Sequence, residues 1–160
     1  MIVGNLLLNN NITANYKNIV FNPDFNENLK GWNYWQEAKK NNNLINLVTN
    51  SHSVLISNPD SRLCGIQQNI NLISGFVYRV EASARYPYNI SNCFFGARLA
   101  INIPHDKEKQ IIWSRPSNEW LKKELLFTNY YTGNCTLFIH MGYGKNNLSG
   151  EFKSIKMFVE

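Results

Sequence analysis

The sequence predicts an all-β fold, a sandwich of two antiparallel sheets over one core. Short apolar runs are separated along the chain by clusters of Gly, Pro, Asn and Ser, such as Asn58-Pro59-Asp60-Ser61, and such punctuation is typical of sandwiches. Several runs alternate apolar and polar residues with the period of two that half-buried strands have. The aromatic share of 13% also suits a β-rich core.

Alternation assigns core and outer faces in three predicted strands. In the strand from Tyr78 to Ala84 the even-numbered residues are predicted to face the core, and in the strand from Phe95 to Ile103 the odd-numbered residues from Ala97 onwards are. From Thr136 to Tyr143 the core positions are again the odd-numbered ones up to Met141. The residues expected on the opposite faces are Arg79, Glu81, Ser83, Arg85, Arg98, Asn102, Phe138 and His140.

The segment Ser117–Leu126 predicts a helix when it is considered alone. Ser117 is a good N-cap residue, and strong helix formers follow it. Local propensity therefore conflicts here with an all-β fold.

A chain of 160 residues has the length of one domain. We expect residues 1–17 to form a polar lead-in, with one extra edge strand near Val3–Leu8, and residues 18–160 to form the module. The net charge of +5 comes from scattered basic residues, which predicts no nucleic-acid binding. The first residues do not form a signal peptide, and no apolar run is long enough to predict membrane insertion.

A search for catalytic motifs finds no nucleophile elbow, zinc-protease motif or P-loop, so we expect no enzyme. His105 and Asp106, with Glu108, lie on a loop flanked by Pro and Lys, and we interpret them as a solvated turn rather than a metal or acid-base cluster. Three widely spaced cysteines allow at most one disulfide, and we interpret Cys64, Cys93 and Cys135 as small buried residues.

Landmarks along the chain resemble the jelly-roll carbohydrate-binding modules of the family four and nine type, in the galactose-binding-like superfold. The first landmark is Asn18–Asn26 followed by Gly31-Trp32, which is similar to the opening "N-x-D-F-E … G-W". The later landmarks, in the same order as in the family, are Ser53–Ser57, Gly65–Leu72, Gly75–Ala84, Trp120 with Glu124–Thr128, and Gly150–Phe158.

The resemblance implies a jelly-roll β-sandwich that binds a glycan or polysaccharide without catalysis. It implies a strand at Lys123–Thr128, against the local helix prediction, and core positions for Trp32 and Trp120. In related modules the polar face of one sheet forms the glycan cleft. If the strands are neighbours, that groove would contain Arg79, Glu81, Arg85, Arg98, Asn102 and His140.

Stacking partners for sugar rings are sought among the aromatic residues of loops and strand ends. Trp35 lies in a polar stretch and Trp113 precedes Ser114-Arg115-Pro116, so both are stacking candidates, and Tyr86 and Tyr88 are candidates for the rim. The arginines and Glu81 have a second interpretation, in which they pair with one another on a solvated sheet face.

The resemblance also implies a place for a structural calcium ion, which many such modules hold between the first motif and the last strand. Here Asn26 replaces the closing acid, and Phe152-Lys153 stands where the family has two aspartates. We therefore expect no cofactor, and a structural calcium is doubtful.

The expected partner is a glycan, with other domains of a larger protein or assembly as further partners. The alternative function is an attachment or spacer module of a phage tail or cell-surface assembly. Both functions imply an extracellular, cell-surface or virion location.

Overall fold

A computed structural model describes residues 17–58, 62–86, 96–142 and 148–160. The predicted strand near Val3–Leu8, Tyr88 and Cys93 lie outside the described residues. Cys64 and Cys135 are buried free thiols, and burial raises the pKa of the Cys64 thiol to about 11.

The described residues form ten β-strands and three short 3-10 turns. The strands are β1 (Asn33–Gln36), β2 (Ile45–Val48), β3 (Ser53–Ser57), β4 (Cys64–Leu72), β5 (Val77–Tyr86), β6 (Ala97–Asn102), β7 (Lys109–Trp113), β8 (Ser117–Thr128), β9 (Gly133–His140) and β10 (Ser149–Val159).

The strands form two five-stranded sheets in which every pair is antiparallel. Sheet I has the order β1-β4-β9-β6-β7, and sheet II has the order β2-β3-β10-β5-β8. Most neighbours in space are distant in sequence, as crossover connections between two layers require. The predicted all-β sandwich is confirmed.

One hydrophobic core lies between the sheets and follows the predicted alternation. Tyr78 and Val80 of β5, Leu99 of β6 and Ile139 of β9 are each at most 1% exposed. Trp32 also belongs to this core, as the resemblance implies, and its ring lies 5.6 Å from that of Phe25.

The helix predicted at Ser117–Leu126 is wrong, because these residues belong to strand β8. The strand pairs with β5 from Val77↔Thr128 to Ala84↔Leu121. Its alternate residues Leu125 and Phe127 reach the core. Pairing and burial across the sheet therefore override the helix propensity of the segment.

Candidate functional site

One row of side chains crosses the outer face of sheet I. Directly opposed residues of an antiparallel pair share a face of the sheet. The register therefore aligns one residue from each of the five strands. This central row is Trp35, Gly65, His140, Arg98 and Ile112.

A second row lies two residues, or about 7 Å, along the strands from the first. It consists of Asn33, Gln67, Phe138, Ala100 and Gln110. Beyond it, Asn69, Thr136 and Asn102 form a third row on β4, β9 and β6. The face thus combines aromatic rings with amides.

Three rings form a cluster where the first two rows meet. The centroid of the Trp35 ring lies 5.1 Å from that of Phe138 and 5.3 Å from that of His140, in tilted arrangements. Trp35 and Phe138 are half-buried, so each ring keeps part of its surface exposed to solvent. These exposed surfaces are available for stacking with a ligand.

Gly65 lies between Trp35 and His140 in the central row. A Cβ atom at this position would lie 2.3 Å from the carbonyl oxygen of Ile139 and 3.0 Å from the Cβ of His140. A side chain would therefore force β4 and β9 apart beneath the ring cluster.

Arg98 is held in place by a chain of polar side chains on the same face. Its Nη1 donates to Oε1 of Gln110 at 2.6 Å, and Nε2 of Gln110 donates to Oε1 of Glu108. Arg98 is only 9% exposed. This arrangement orients the guanidinium group and lowers the entropy that it would lose on binding a ligand.

His140 is neutral and fixed in orientation. Its Nδ1 accepts a hydrogen bond from the Gly142 amide at 3.0 Å, which assigns the proton to Nε2. Burial, and secondly the positive charge of Arg98, lower the pKa of His140 to about 4. The imidazole therefore stays uncharged at neutral and mildly acidic pH.

The structure places four of the sequence-predicted site residues together. Trp35, Arg98, Asn102 and His140 all lie on the outer face of sheet I. Arg98 is the one charged side chain among the outward-facing residues of these five described strands. Exposed ring surface and amide groups suit the C–H surfaces and hydroxyls of an uncharged polar ligand.

Arg79, Glu81 and Arg85 do not join this face, so the single groove predicted from the sequence is wrong. Their strand, β5, pairs with β10 and β8 in sheet II. Alternation assigns a residue to the outer side of its own strand, but it does not identify the neighbouring strands. The sandwich separates these three residues from Arg98 by the whole core.

Ion pairs cover the outer face of sheet II, as the second interpretation of these residues requires. They are Arg79 with Glu81 (3.2 Å) and with Glu160, Lys122 with Glu81 (2.7 Å), and Arg85 with Glu151 (3.0 Å). These donors and acceptors are directed at one another.

Trp113 and Tyr86 are core residues, which contradicts their predicted roles in stacking and at the rim. Each is 1% exposed. The Tyr86 hydroxyl donates to the Trp113 carbonyl at 2.6 Å, and Trp113 Nε1 donates to the Leu121 carbonyl at 2.7 Å. The register of β7 directs Trp113 inwards and places Ile112 on the outer face.

Trp120 was predicted to be a core residue, but it lies half-buried on the side of sheet II that carries the ion pairs. The Arg85 guanidinium lies 4.6 Å and the Lys153 ammonium 4.1 Å from the centroid of its ring. Two cations therefore contact the indole, as in cation–π interactions.

Sequence reasoning did not include Phe138, Gln67 and Gln110 in the site, although all three lie on the sheet I face. Alternation assigns Phe138 to the same outer side of its strand as His140, but the site predicted from the sequence does not include it. Gln67 and Gln110 have no sequence pattern that distinguishes them from other polar strand residues. Only the register places them beside Phe138 and Arg98.

The region that corresponds to the family calcium site offers a poor ligand set. Asp24 Oδ1 accepts a hydrogen bond from Ser154 Oγ at 2.8 Å, and a depression of about 360 Å³ beside them also contains Asn26 and Lys153. In the described ranges no group of three or more His, Cys, Asp or Glu side chains is arranged to hold a metal. One carboxylate beside a lysine does not fit calcium, which favours several oxygen ligands.

Solved structures with the same fold include carbohydrate-binding modules. TmCBM61, solved in complex with β-1,4-galactotriose, has a TM-score of 0.66 and 18% identity, covering 90% of this chain and 99% of that one. The CBM22-1 xylan-binding domain of Paenibacillus barcinonensis Xyn10C has a TM-score of 0.59 and 6% identity, covering 90% and 95%. These likenesses confirm the jelly-roll fold.

A larger protein contains the same fold as one part. The enzymatically active domain of bacteriophage CBA120 tailspike protein 4 has a TM-score of 0.67 and 12% identity, covering 89% of this chain and 21% of that one. Curated proteins give no match to the sequence.

Within the described residues, no helix has the length and apolar character needed to cross a membrane.

Membership of a family follows from a match along most of the chain. A family model described as a carbohydrate binding domain, of types 4 and 9, matches residues 17–148. The chain belongs to this carbohydrate-binding domain family.

Proposed function

We propose that the protein binds a neutral glycan across the outer face of sheet I, as a non-catalytic module. The observation that carries the proposal is the alignment of Trp35, His140 and Arg98 in one row, with Phe138 and Gln67 in the next. Family membership supports the ligand class.

The rings and the polar groups have different roles in this proposal. Trp35 and Phe138 offer apolar ring surface to the C–H side of a pyranose. Arg98, oriented by Gln110, donates to hydroxyl groups as a rigid fork. His140 is neutral and only 1% exposed, so it supports the Trp35 ring from below and adds no charge to the face.

The expected affinity is modest. A neutral hydrogen bond contributes about 1 kcal/mol net, so a few such bonds and one or two stacked rings give micromolar or weaker dissociation constants. Several copies, or a tethered partner domain, would then supply useful avidity. An extracellular, cell-surface or virion location accords with such a role.

The test is a panel of neutral oligosaccharides that includes β-1,4-galactotriose, the ligand of TmCBM61. We expect at least one oligosaccharide to bind the wild type, and Phe138→Ala to weaken it about tenfold, which corresponds to roughly 1.4 kcal/mol. Thermal unfolding of the variant shows whether the fold is kept. Equal binding by a folded Phe138→Ala variant would contradict the proposed face.

The second candidate function is an attachment or spacer module of a phage tail or cell-surface assembly. The shared fold with part of a phage tailspike protein favours it. Sedimentation of the purified protein separates the two functions. A stable oligomer without glycan affinity supports the assembly role, and a monomer that binds glycan supports the first proposal.

A further inference from the structure

A cavity of about 430 Å³ lies between two loops at one end of the sandwich. It is lined by Pro104, His105 and Asp106, which follow β6, and by Tyr130 and Tyr131, which follow β8. Ligand pockets in proteins have volumes of roughly 300–1,000 Å³. The cavity is therefore large enough for a small ligand.

Tyr130 presents an aromatic ring to solvent at the mouth of this cavity. The residue is 79% exposed, whereas the next residue, Tyr131, packs partly against the core. A tyrosine ring with free apolar faces and a polar hydroxyl suits a ligand that has both apolar and polar sides.

Asn129, which is fully buried, fixes the backbone of the tyrosine loop. Its Nδ2 donates to the carbonyls of Ile73, at 2.9 Å, and Tyr131, and its Oδ1 accepts from the Tyr131 amide at 3.2 Å. Its backbone carbonyl accepts a hydrogen bond from the Gly75 amide, and its backbone amide donates one to the Phe76 carbonyl. The exposed Tyr130 ring therefore stands on a rigid base, which lowers the entropy cost of binding.

The opposite wall is a tight turn with an unusual residue. The Asp106 amide donates to the Ile103 carbonyl at 3.1 Å, and His105 has a φ of +64°. Because Pro104 holds its own φ negative, this is a type II turn, whose third position favours glycine. A histidine in this conformation carries strain, and such strain is more frequent at functional sites than elsewhere.

Asp106 is an ionised and fixed acceptor beside this histidine. Hydrogen bonds from Lys109 and from the Lys107 amide hold the pKa of the Asp106 carboxyl below its usual value. The ammonium of Lys109 lies 3.1 Å from Oδ2 and offsets the negative charge. The wall thus offers oriented polar atoms with little net charge, which favours a neutral ligand.

We propose that this cavity is a second carbohydrate site, which takes one neutral pyranose, such as a chain end or a branch. The sugar ring lies against Tyr130, and its hydroxyl groups bond Asp106 and His105. The solvated turn predicted from the sequence accounts for His105 and Asp106 but not for an exposed tyrosine on a rigid base facing them.

The second site is separate from the sheet I face. Along β6, the strand end at Asn102 lies about 13 Å beyond Arg98, and the cavity begins after that end. The two sites therefore have no residue in common, and each is tested with its own variants.

The experiment is an NMR titration of the full chain with the methyl β-glycosides of galactose, glucose and xylose. We expect amide shifts at residues 103–107 and 129–132, in the wild type and equally in Trp35→Ala. Tyr130→Ala should weaken this binding at least tenfold. His105→Gly, which relieves the turn strain and so keeps the fold, should weaken it severalfold.

Leu126→Ala is the matched control, because Leu126 is also an exposed apolar residue, at 55%, but lies outside the cavity. It should bind as the wild type does. Retention of the shifts in Tyr130→Ala overturns the second site. Shifts confined to residues near Trp35 and Phe138 overturn it while supporting the proposed function. The absence of shifts at residues 103–107 and 129–132 overturns the second site alone, because the oligosaccharide panel tests the sheet I face separately.

Discussion

The outer faces of the two sheets differ in charge, although their strands have the same alternation. Sheet I presents two half-buried rings, amides and one arginine above a buried, neutral histidine. Sheet II presents arginines and lysines paired with glutamates. The face proposed to bind a glycan is therefore the one that carries ring surface rather than a network of ion pairs.

The largest effect is expected from Gly65→Ala, which changes the floor of the sheet I face. The new Cβ would lie 2.3 Å from the Ile139 carbonyl, so we expect a loss of about 3 kcal/mol in unfolding free energy, measured in urea. Gly75→Ala is the control: its Cβ meets no atom, and its φ of +89° alone should cost about 1 kcal/mol. Equal losses would contradict the close approach of β4 and β9.

A pH effect should come from His140, at the centre of sheet I. Its pKa is about 4 in the folded protein and near 6.5 when unfolded. As the pH falls through this window the unfolded state binds a proton that the folded state does not, so unfolding free energy falls, by about 3 kcal/mol in total. His140→Gln should lose this component in urea titrations between pH 7.5 and 4. If the unfolding free energy of His140→Gln falls with pH as steeply as that of the wild type, or if NMR gives His140 of the wild type a pKa near 6.5, the burial of His140 is contradicted.

Replacing one arginine on each face by alanine tests which sheet binds the glycan. Arg98→Ala should weaken glycan binding at least tenfold, because a charged donor contributes about 1.5–3 kcal/mol. Arg85→Ala removes a comparable guanidinium from sheet II and should leave the dissociation constant unchanged. Calorimetric titrations of both variants give the two dissociation constants. Weaker binding by Arg85→Ala, with full affinity in Arg98→Ala, would place the site on sheet II.

A smaller effect is expected for the ion pairs of sheet II. Lys122→Gln breaks the pair with Glu81, but the Lys122 side chain is 62% exposed. Such pairs contribute at most about 1 kcal/mol. Thermal unfolding should therefore shift only slightly, and a large loss would show that sheet II depends on its ion pairs.

No effect is expected when calcium is removed. The Asp24 carboxylate already accepts the Ser154 hydroxyl, and the Ile155 amide donates to the Pro23 carbonyl at 3.0 Å. These bonds join the first motif to β10 without an ion. The midpoint of thermal unfolding should be the same with EDTA and with added calcium. A rise with calcium would show a site that these residues do not suggest.

The sequence was sufficient to predict the sandwich and the side of each strand that faces the core. The residues predicted to face the core in Tyr78–Ala84 and in the segment from Ala97 to Ile103 all belong to the hydrophobic core. The resemblance correctly identified the family and the β8 strand, where local propensity predicted a helix. The first success depends on the local alternation of apolar and polar residues, and the second depends on family landmarks that occur in the expected order along the chain.

The composition of the site depends on strand order and register, which alternation does not contain. β5 and β6 have similar patterns but belong to different sheets, so the residues predicted to line one groove are divided between the outer faces of the two sheets. Trp113 and Trp120 exchanged their predicted environments because β7 and β8 turn these rings to opposite sides. Gln67 and Gln110 gain their positions only through pairing.

Glycan binding on sheet I can be tested with two tryptophan variants. Trp35→Ala and Trp120→Ala each remove a half-buried indole from an outer face, one from each sheet. Both are titrated by calorimetry with the oligosaccharide that binds the wild type best. We expect Trp35→Ala to weaken binding at least tenfold and Trp120→Ala to leave it unchanged. Loss of binding in Trp120→Ala, with full affinity in Trp35→Ala, would contradict glycan binding on sheet I.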